Sequence, residues 1–356
     1  MKVGILGLPT SGKTTLYNLL TGSGADTTPF GSGKREANLG VVKVPDDRLE
    51  RLAVLYGSKK ITHAEISFVD LAGIPGDDRA AERAEDLLPH LRDADALALV
   101  LRDFESPHAP GDRVDPAADL GEIRSDLIVS DLSIVEKKLG HLEKEKRSGD
   151  PAKVREYELF VRAKECLEGA HRLATLDFTD DEKKQISGYG FLTMKGLILL
   201  RNIGEDRPPK APEALTVRAA QMHAPLVSLN ALLEHEVRSL PEEDRETYYR
   251  EYGIEGHGRS RFIRGAYEAL DLITFFSAAP NEARAWPIPR GMNARRAAGK
   301  IHTDLERGFI RAEVIELETL IELGGEKHAK EKGKMRLEGK EYIVQDGDVI
   351  LVRFSV

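Results

Sequence analysis

Gly7-Leu8-Pro9-Thr10-Ser11-Gly12-Lys13-Thr14 matches G-x-x-x-x-G-K-[ST] at every fixed position. The apolar run 3–6 before it reads as a buried strand, and the stretch 14–20 after it is compatible with a helix. In a strand–loop–helix of this kind the glycines let the chain curl until successive backbone N–H groups point at phosphate oxygens. The helix N-terminus adds partial positive charge, Lys13 reaches the β- and γ-phosphates, and the Thr14 hydroxyl can ligate Mg²⁺. The stretch therefore predicts a nucleoside triphosphate site.

Further strand-like runs at 39–44, 64–69, 97–101, 197–200 and 226–229 alternate with helical stretches. That alternation predicts a doubly wound, mostly parallel sheet, with ligands beyond the carboxyl ends of its strands. One such end reads Phe68-Val69-Asp70-Leu71-Ala72-Gly73. In D-x-x-G of GTPase-like proteins the Asp holds Mg²⁺ through water and the Gly N–H meets the γ-phosphate, which assigns those roles to Asp70 and Gly73. Ile74 stands where Ras-like GTPases have the glutamine that orients the attacking water. Either hydrolysis is slow or another group positions the water. The strand at 197–200 runs into Asn202-Ile203-Gly204-Glu205, where a guanine-specific protein would read Asn-Lys-x-Asp. Glu205 is one methylene longer than Asp and Ile203 replaces Lys, so selectivity for guanine is weakened.

Between about 121 and 186 the alternation stops. Ile128, Leu132, Val135, Leu139 and Leu142 repeat at heptad spacing between charged flanks, and Ser148-Gly149-Asp150-Pro151 is a strong turn with Asp150 placed as a cap. This predicts an inserted antiparallel helical hairpin. The 356 residues are 41% hydrophobic and carry a formal charge of −8, which argues against wholesale coating of nucleic acid. Cys166 is the single cysteine; it excludes an internal disulfide and reads as a packed or idle thiol of a reducing, cytoplasmic protein. No apolar run approaches a membrane span, and the N-terminus does not read as a signal peptide. Basic residues concentrate late in the chain: Arg284, Arg290, Arg295, Arg296, Lys300, Arg307 and Arg311, then Lys327, Lys330, Lys332, Lys334 and Arg336. They form a candidate RNA-contacting face, with Trp286 and Phe309 either stacking on bases or packed as core anchors.

Taken together these residues resemble the YchF/Obg-like ATPase subfamily of the Obg-related P-loop proteins. The resemblance rests on Gly7-Leu8-Pro9, Asp70-Leu71-Ala72-Gly73-Ile74, Asn202-Ile203-Gly204-Glu205 and a long C-terminal match. That match includes Arg284-Ala285-Trp286, Ala298-Gly299-Lys300-Ile301-His302-Thr303-Asp304, Gly308-Phe309-Ile310-Arg311-Ala312 and Tyr342-Ile343-Val344-Gln345-Asp346-Gly347-Asp348. It implies a P-loop domain with an inserted coiled-coil hairpin, a C-terminal TGS domain of β-grasp type, preference for ATP over GTP, and association with the ribosome. The expected organisation is a P-loop domain at 1–120 and 187–270, the hairpin at 121–186 and a TGS-like domain at 271–356.

Carried over residue by residue, Thr10, Ser11, Gly12, Lys13, Thr14 and Thr15 wrap the phosphates and Thr14 ligates Mg²⁺. Asn202, Ile203 and Glu205 border the base, and Asn230, Ala231 and Leu232 close over it before Glu234. The chain departs from the family's pattern in two places. Its first switch, Pro29-Phe30-Gly31-Ser32-Gly33-Lys34-Arg35-Glu36-Ala37-Asn38, is two residues longer than the usual Pro-Phe-x-Thr-Ile-Glu-Pro-Asn, leaving Ser32 as the magnesium-contacting hydroxyl. Its phosphate loop has Thr-Ser-Gly-Lys-Thr for the usual Asn-Val-Gly-Lys-Ser. The family has a histidine near His108, the candidate for positioning water. The expected protein is thus a monomeric, Mg²⁺-dependent ATPase that meets the ribosome or RNA. A GTPase of the same fold and a nucleotide-gated binding module with incidental turnover are the alternatives.

Overall fold

The computed structural model describes residues 1–22, 24, 38–70, 89–106, 114–251 and 258–355. Its strands are β1 (Lys2–Gly7), β2 (Asn38–Lys43), β3 (Ile61–Thr62), β4 (Glu65–Asp70), β5 (Ala96–Asp103) and β6 (Gly196–Ile203), then β7 (Leu226–Leu229), β8 (Leu272–Ala278), β9 (Ala283–Pro289), β10 (Phe309–Glu316), β11 (Arg336–Glu338) and β12 (Asp348–Phe354). The helices are α1 (Lys13–Thr21), α2 (Asp47–Tyr56), α3 (Pro116–Glu145), α4 (Pro151–Glu168), α5 (Asp180–Ser187), α6 (Glu213–Gln221) and α7 (Ala231–Arg238). They continue with α8 (Glu242–Glu251), α9 (Gly258–Ala269), α10 (Ala294–Ile301), α11 (Thr303–Arg307), α12 (Leu317–Glu322) and α13 (Glu326–Glu331). Two compact units result: Met1–Gly40 with Ser67–Phe262, and Val41–Ile66 with Ile263–Val356.

The first unit is built on the sheet β2-β4-β1-β5-β6-β7, in which the β4-β1-β5-β6-β7 pairings are parallel. Every residue of β5 is buried, the pattern of a strand covered on both faces. Leu97, Leu99 and Leu101 share a core with Leu197 and Leu199 of β6, Leu120, Ile123 and Leu127 of α3, and Leu215 of α6. Parallel pairing sets Asp70 opposite Ile5, Asp103 opposite Ile203 and Asn202 opposite Leu229, which collects the carboxyl ends of the strands on one side.

The inserted hairpin consists of α3 and α4. Asp115 caps α3 by accepting from Ala117 and Ala118 N–H, with Pro116 at the first helical turn, so the helix starts at Pro116 rather than near 121. Its first turns belong to the sheet's core; its far half forms a separate core of Ile128, Val135 and Leu142 with Leu159, Phe160 and Ala163 of α4. Ion pairs Lys153–Glu145, Lys138–Glu156 and Lys164–Glu136 span the two helices in antiparallel order. The turn at Asp150-Pro151 caps α4 as the sequence indicates, through Ala152 N–H. Cys166 is buried in the same core, with Sγ donating to Arg172 O at 3.4 Å.

The second unit carries the sheet β11-β10-β12-β8-β9-β3. Antiparallel β8–β9 and β10–β12 are joined through parallel β12–β8, a β-grasp arrangement. Residues 41–66 group with this unit, a correction to the sequence reading that kept them within the nucleotide domain. The reason is a set of contacts distant in sequence: β3 pairs with β9, Lys59 N–H bonds Pro280 O, and Arg48 bridges Asp46 and Asp346. Trp286 packs at the rim of the core, stacked on Phe275 with its Nε1 bonded to Ser277 Oγ and Arg284 over its ring, so it serves as an anchor. No helix among the described residues is long and apolar enough to cross a membrane.

Candidate nucleotide-binding site

The phosphate loop leaves β1 at Gly7 and enters α1 at Lys13. Thr10 and Gly12 both have positive φ, 61° and 92°. A β-branched residue rarely adopts that conformation, and its cost is met here within a loop that must turn its amides inward. Gly12 has a second constraint, since a Cβ there would lie 2.3 Å from Asn202 Nδ2. Gly12 is the N-cap of α1 and supplies no side-chain acceptor, which leaves the helix start to an anion.

Lys13 is buried. Its Nζ donates to Gly7 O at 2.9 Å and Leu8 O at 2.8 Å, and burial lowers its pKa to about 8 against the opposing pull of Asp70. Asp70 ends β4 and is fully buried, and neither carboxylate oxygen has a well-formed hydrogen bond among the described residues. Burial raises its pKa, while the nearby Thr14 hydroxyl and Lys13 ammonium pull it down. A buried carboxylate without a full set of partners beside a hydroxyl is a donor set that suits a hard divalent cation. The expected roles of Thr14 and Asp70 are chemically compatible with Mg²⁺ on that ground.

The base side is reached through Asn202. Its Nδ2 donates to Ser11 O at 3.0 Å and its Oδ1 accepts from Ala231 N–H at 3.1 Å, so one amide joins the phosphate loop, the end of β6 and the start of α7. Asn230 caps α7 by accepting from Leu233 N–H. Glu234 is buried and accepts from Arg259 N–H at the start of α9, anchoring α7 from below. Glu205 and Leu232 are exposed and Ile203 is half-buried. A cavity of about 470 Å³ is lined by Ile203, Gly204, Glu205 and Asn230 and continues beside β7. Gly7, Pro9, Ser11, Gly12, Lys13, Thr14, Thr15, Asp70, Asn202 and Asn230 thus gather at the strand ends. Ser32, Gly73, Ile74 and His108 lie outside the described residues.

Two residues absent from the sequence reading stand beneath this loop: Arg201 and Asp103, a buried ion pair with Nε–Oδ2 at 2.5 Å. Their signal was an arginine closing the apolar run 197–200 and an aspartate closing the run of β5, on strands paired residue by residue.

The family model MMR_HSR1, described as "50S ribosome-binding GTPase", matches residues 2–134. The model YchF-GTPase_C, "Protein of unknown function (DUF933)", matches residues 272–355. The chain is 38% identical over 368 residues to the protein named ribosome-binding ATPase YchF of Bacillus subtilis (strain 168), with all of both chains covered. It is 39% identical over 361 residues to the protein of that name from Haemophilus ducreyi, covering 100% of this chain and 99% of that one. A solved structure, that of the Schizosaccharomyces pombe YchF GTPase, superposes with a TM-score of 0.85 at 27% identity, covering 99% of this chain and 97% of the other.

Proposed function

The chain belongs to the YchF family, and from that premise we propose that it is an Mg²⁺-dependent switch that binds ATP, hydrolyses it slowly and associates with the ribosome. The relatives' names divide between ATPase and GTPase, so the base-side residues carry the choice. What supports ATP is the stretch that Asn202 anchors beside the phosphate loop through Ser11 O: it continues into Ile203 and Glu205 in place of the lysine and short aspartate that read guanine. GTP binds more weakly on this reading.

Each residue's part follows from its surroundings. Lys13, held on the Gly7 and Leu8 carbonyls, exchanges those neutral acceptors for charged β- and γ-phosphate oxygens, which bind an ammonium more strongly. Thr14 and Asp70 hold Mg²⁺, which offsets the charge of the phosphates when bound. Gly73 N–H meets the γ-phosphate and Ser32 takes the place of the switch threonine. Ile74 has no polar side-chain atom with which to orient water; His108 takes that task, and turnover without a partner stays below about 1 s⁻¹, the low end of ordinary enzymes. The protein acts as a monomer. Its ribosome or RNA contact falls on the second unit, where Arg290, Arg295, Arg296, Lys300, Arg307 and Arg311 are exposed.

Two measurements test this. Calorimetry with Mg²⁺ is expected to find ATP tighter than GTP; equal affinities would reject the base assignment. Co-sedimentation with ribosomes is expected to differ between an ATP analogue, ADP and no nucleotide. Equal pelleting in all three would leave a static ribosome binder and reject the switch, and no pelleting would reject ribosome association.

A further inference from the structure

Arg201 is the largest fully buried side chain of the described residues, and its hydrogen bonds go mainly to one loop and one acidic partner, with a long Nη1 contact to Ser228 Oγ of β7 at 3.5 Å. Nε meets Asp103 Oδ2, while Nη1 donates to the carbonyl oxygens of Pro208 at 2.8 Å, Lys210 at 3.1 Å and Pro209 at 3.3 Å. Two consecutive prolines have no N–H to offer the neighbouring carbonyls, and Arg201 supplies a donor to this segment. Asp103 grips the other stem: its backbone carbonyl accepts from Gly204 N–H at 3.0 Å. The loop then closes on itself through Arg207 N–H to Gly204 O at 3.2 Å. Glu205 lies between the two grips.

We propose that Arg201 and Asp103 are positioning residues for base discrimination, a buried clamp that fixes the loop 204–210 and with it the Glu205 carboxylate. The proposal rests on the base-reading role given above to the Asn202–Glu205 stretch. Successive residues of a strand point to opposite faces, so Asn202 turns toward the phosphate loop while Arg201, its neighbour, turns to the clamp. The end of β6 thus serves both halves of the site separately. Burying a guanidinium and a carboxylate is costly, and apolar residues of similar volume commonly replace such pairs without loss of stability. What an apolar pair would not supply is a three-carbonyl anchor. Recognition of a base edge depends on hydrogen-bond placement and weakens steeply with misalignment. A slack loop therefore loses discrimination while the phosphate contacts, made from the opposite face, persist.

The test uses Arg201→Lys, which keeps a positive charge opposite Asp103 but lacks the planar fork. Competition binding of ATP and GTP, with inorganic tripolyphosphate as a probe of the phosphate end alone, is the readout. The ATP:GTP affinity ratio is expected to fall at least about fivefold toward one, with tripolyphosphate affinity unchanged. The double variant Arg201→Met with Asp103→Asn removes both charges of the buried pair, leaving Arg207, which lies 3.6 Å from Asp103 and is one-third exposed, to solvent, and is expected to behave alike. On the wild type, exchange of the Gly204 and Arg207 amides, which donate to Asp103 O and Gly204 O, is expected to be slow without nucleotide, a measurement that requires no variant. A ratio preserved in either folded variant, a parallel fall in tripolyphosphate affinity, or fast exchange of those two amides in the wild type would overturn the clamp. A wild-type ratio of one would instead overturn the base reading itself, and the clamp's role with it.

Discussion

Between Gly7 and Thr14 the chain is held largely from within: Lys13 bonds carbonyls five and six residues back, a left-handed glycine opens the helix, and Asn202 adds one long-range bond at Ser11 O. The loop after β6 is held from a distance, by Asp103 through a partner 98 residues further on and by an amide reaching Ser11 across 191 residues. The phosphate end is a local motif that tolerates few changes. The base end is an assembly of strand ends, so its chemistry can drift while the phosphate end stays fixed. If the two ends are separable in this way, substitutions at the first should affect every nucleotide alike, and substitutions at the second should change which nucleotide is preferred.

The largest expected effect is at the phosphate end. Lys13→Ala removes a charge-assisted contact common to all nucleotides, and calorimetry should find ATP and GTP both weakened by about a hundredfold or more. Selective loss of one nucleotide would break the comparison.

The same lysine has a pH signature. Its folded pKa of about 8 lies below the unfolded value of 10.5, so between these values the unfolded chain binds more protons and stability rises with pH. Below about pH 8 the cost of the buried ammonium is fully present, on the order of 3 kcal/mol. Denaturant unfolding of the nucleotide-free protein should therefore gain stability from pH 8 to 10.5 relative to Lys13→Met. Saturating Mg-ATP should flatten that difference, because the phosphates supply the missing counter-charge. Parallel profiles for the two proteins would mean the ammonium is solvated.

Asn202 is where the two ends meet. Asn202→Ala leaves Ser11 O and Ala231 N–H without their partner, a loss of about 1–3 kcal/mol of stability by thermal or chemical unfolding. It should also weaken ATP roughly tenfold, measured by calorimetry. Unchanged stability would place the connection elsewhere.

These same residues mark how far the sequence carries. The octet and its flanks announce a strand, a phosphate loop and a helix because glycine placement and apolar runs are local signals. The runs at 39–44, 64–69, 97–101, 197–200 and 226–229 each fall on strands of the first sheet. The hairpin was legible through its heptad and its Asp-Pro turn, although not its start, because Asp115 and Pro116 precede the seam that announces it. Grouping of 41–66 with the second unit was hidden: it depends on a two-residue strand and on Arg48, whose partner Asp346 lies 298 residues away. Arg201 and Asp103 were visible as charges ending apolar runs, but their pairing emerges only once β5 and β6 are in register.

Exchanging the base end while leaving the phosphate end intact tests the central claim most directly. In Ile203→Lys with Glu205→Asp, competition binding of ATP and GTP should move the affinity ratio toward GTP by roughly ten- to hundredfold, the worth of a well-placed charged hydrogen bond. Tripolyphosphate affinity should stay constant. An unchanged ratio in the folded double variant would contradict the account, since the residues following Asn202 would then not be what reads the base.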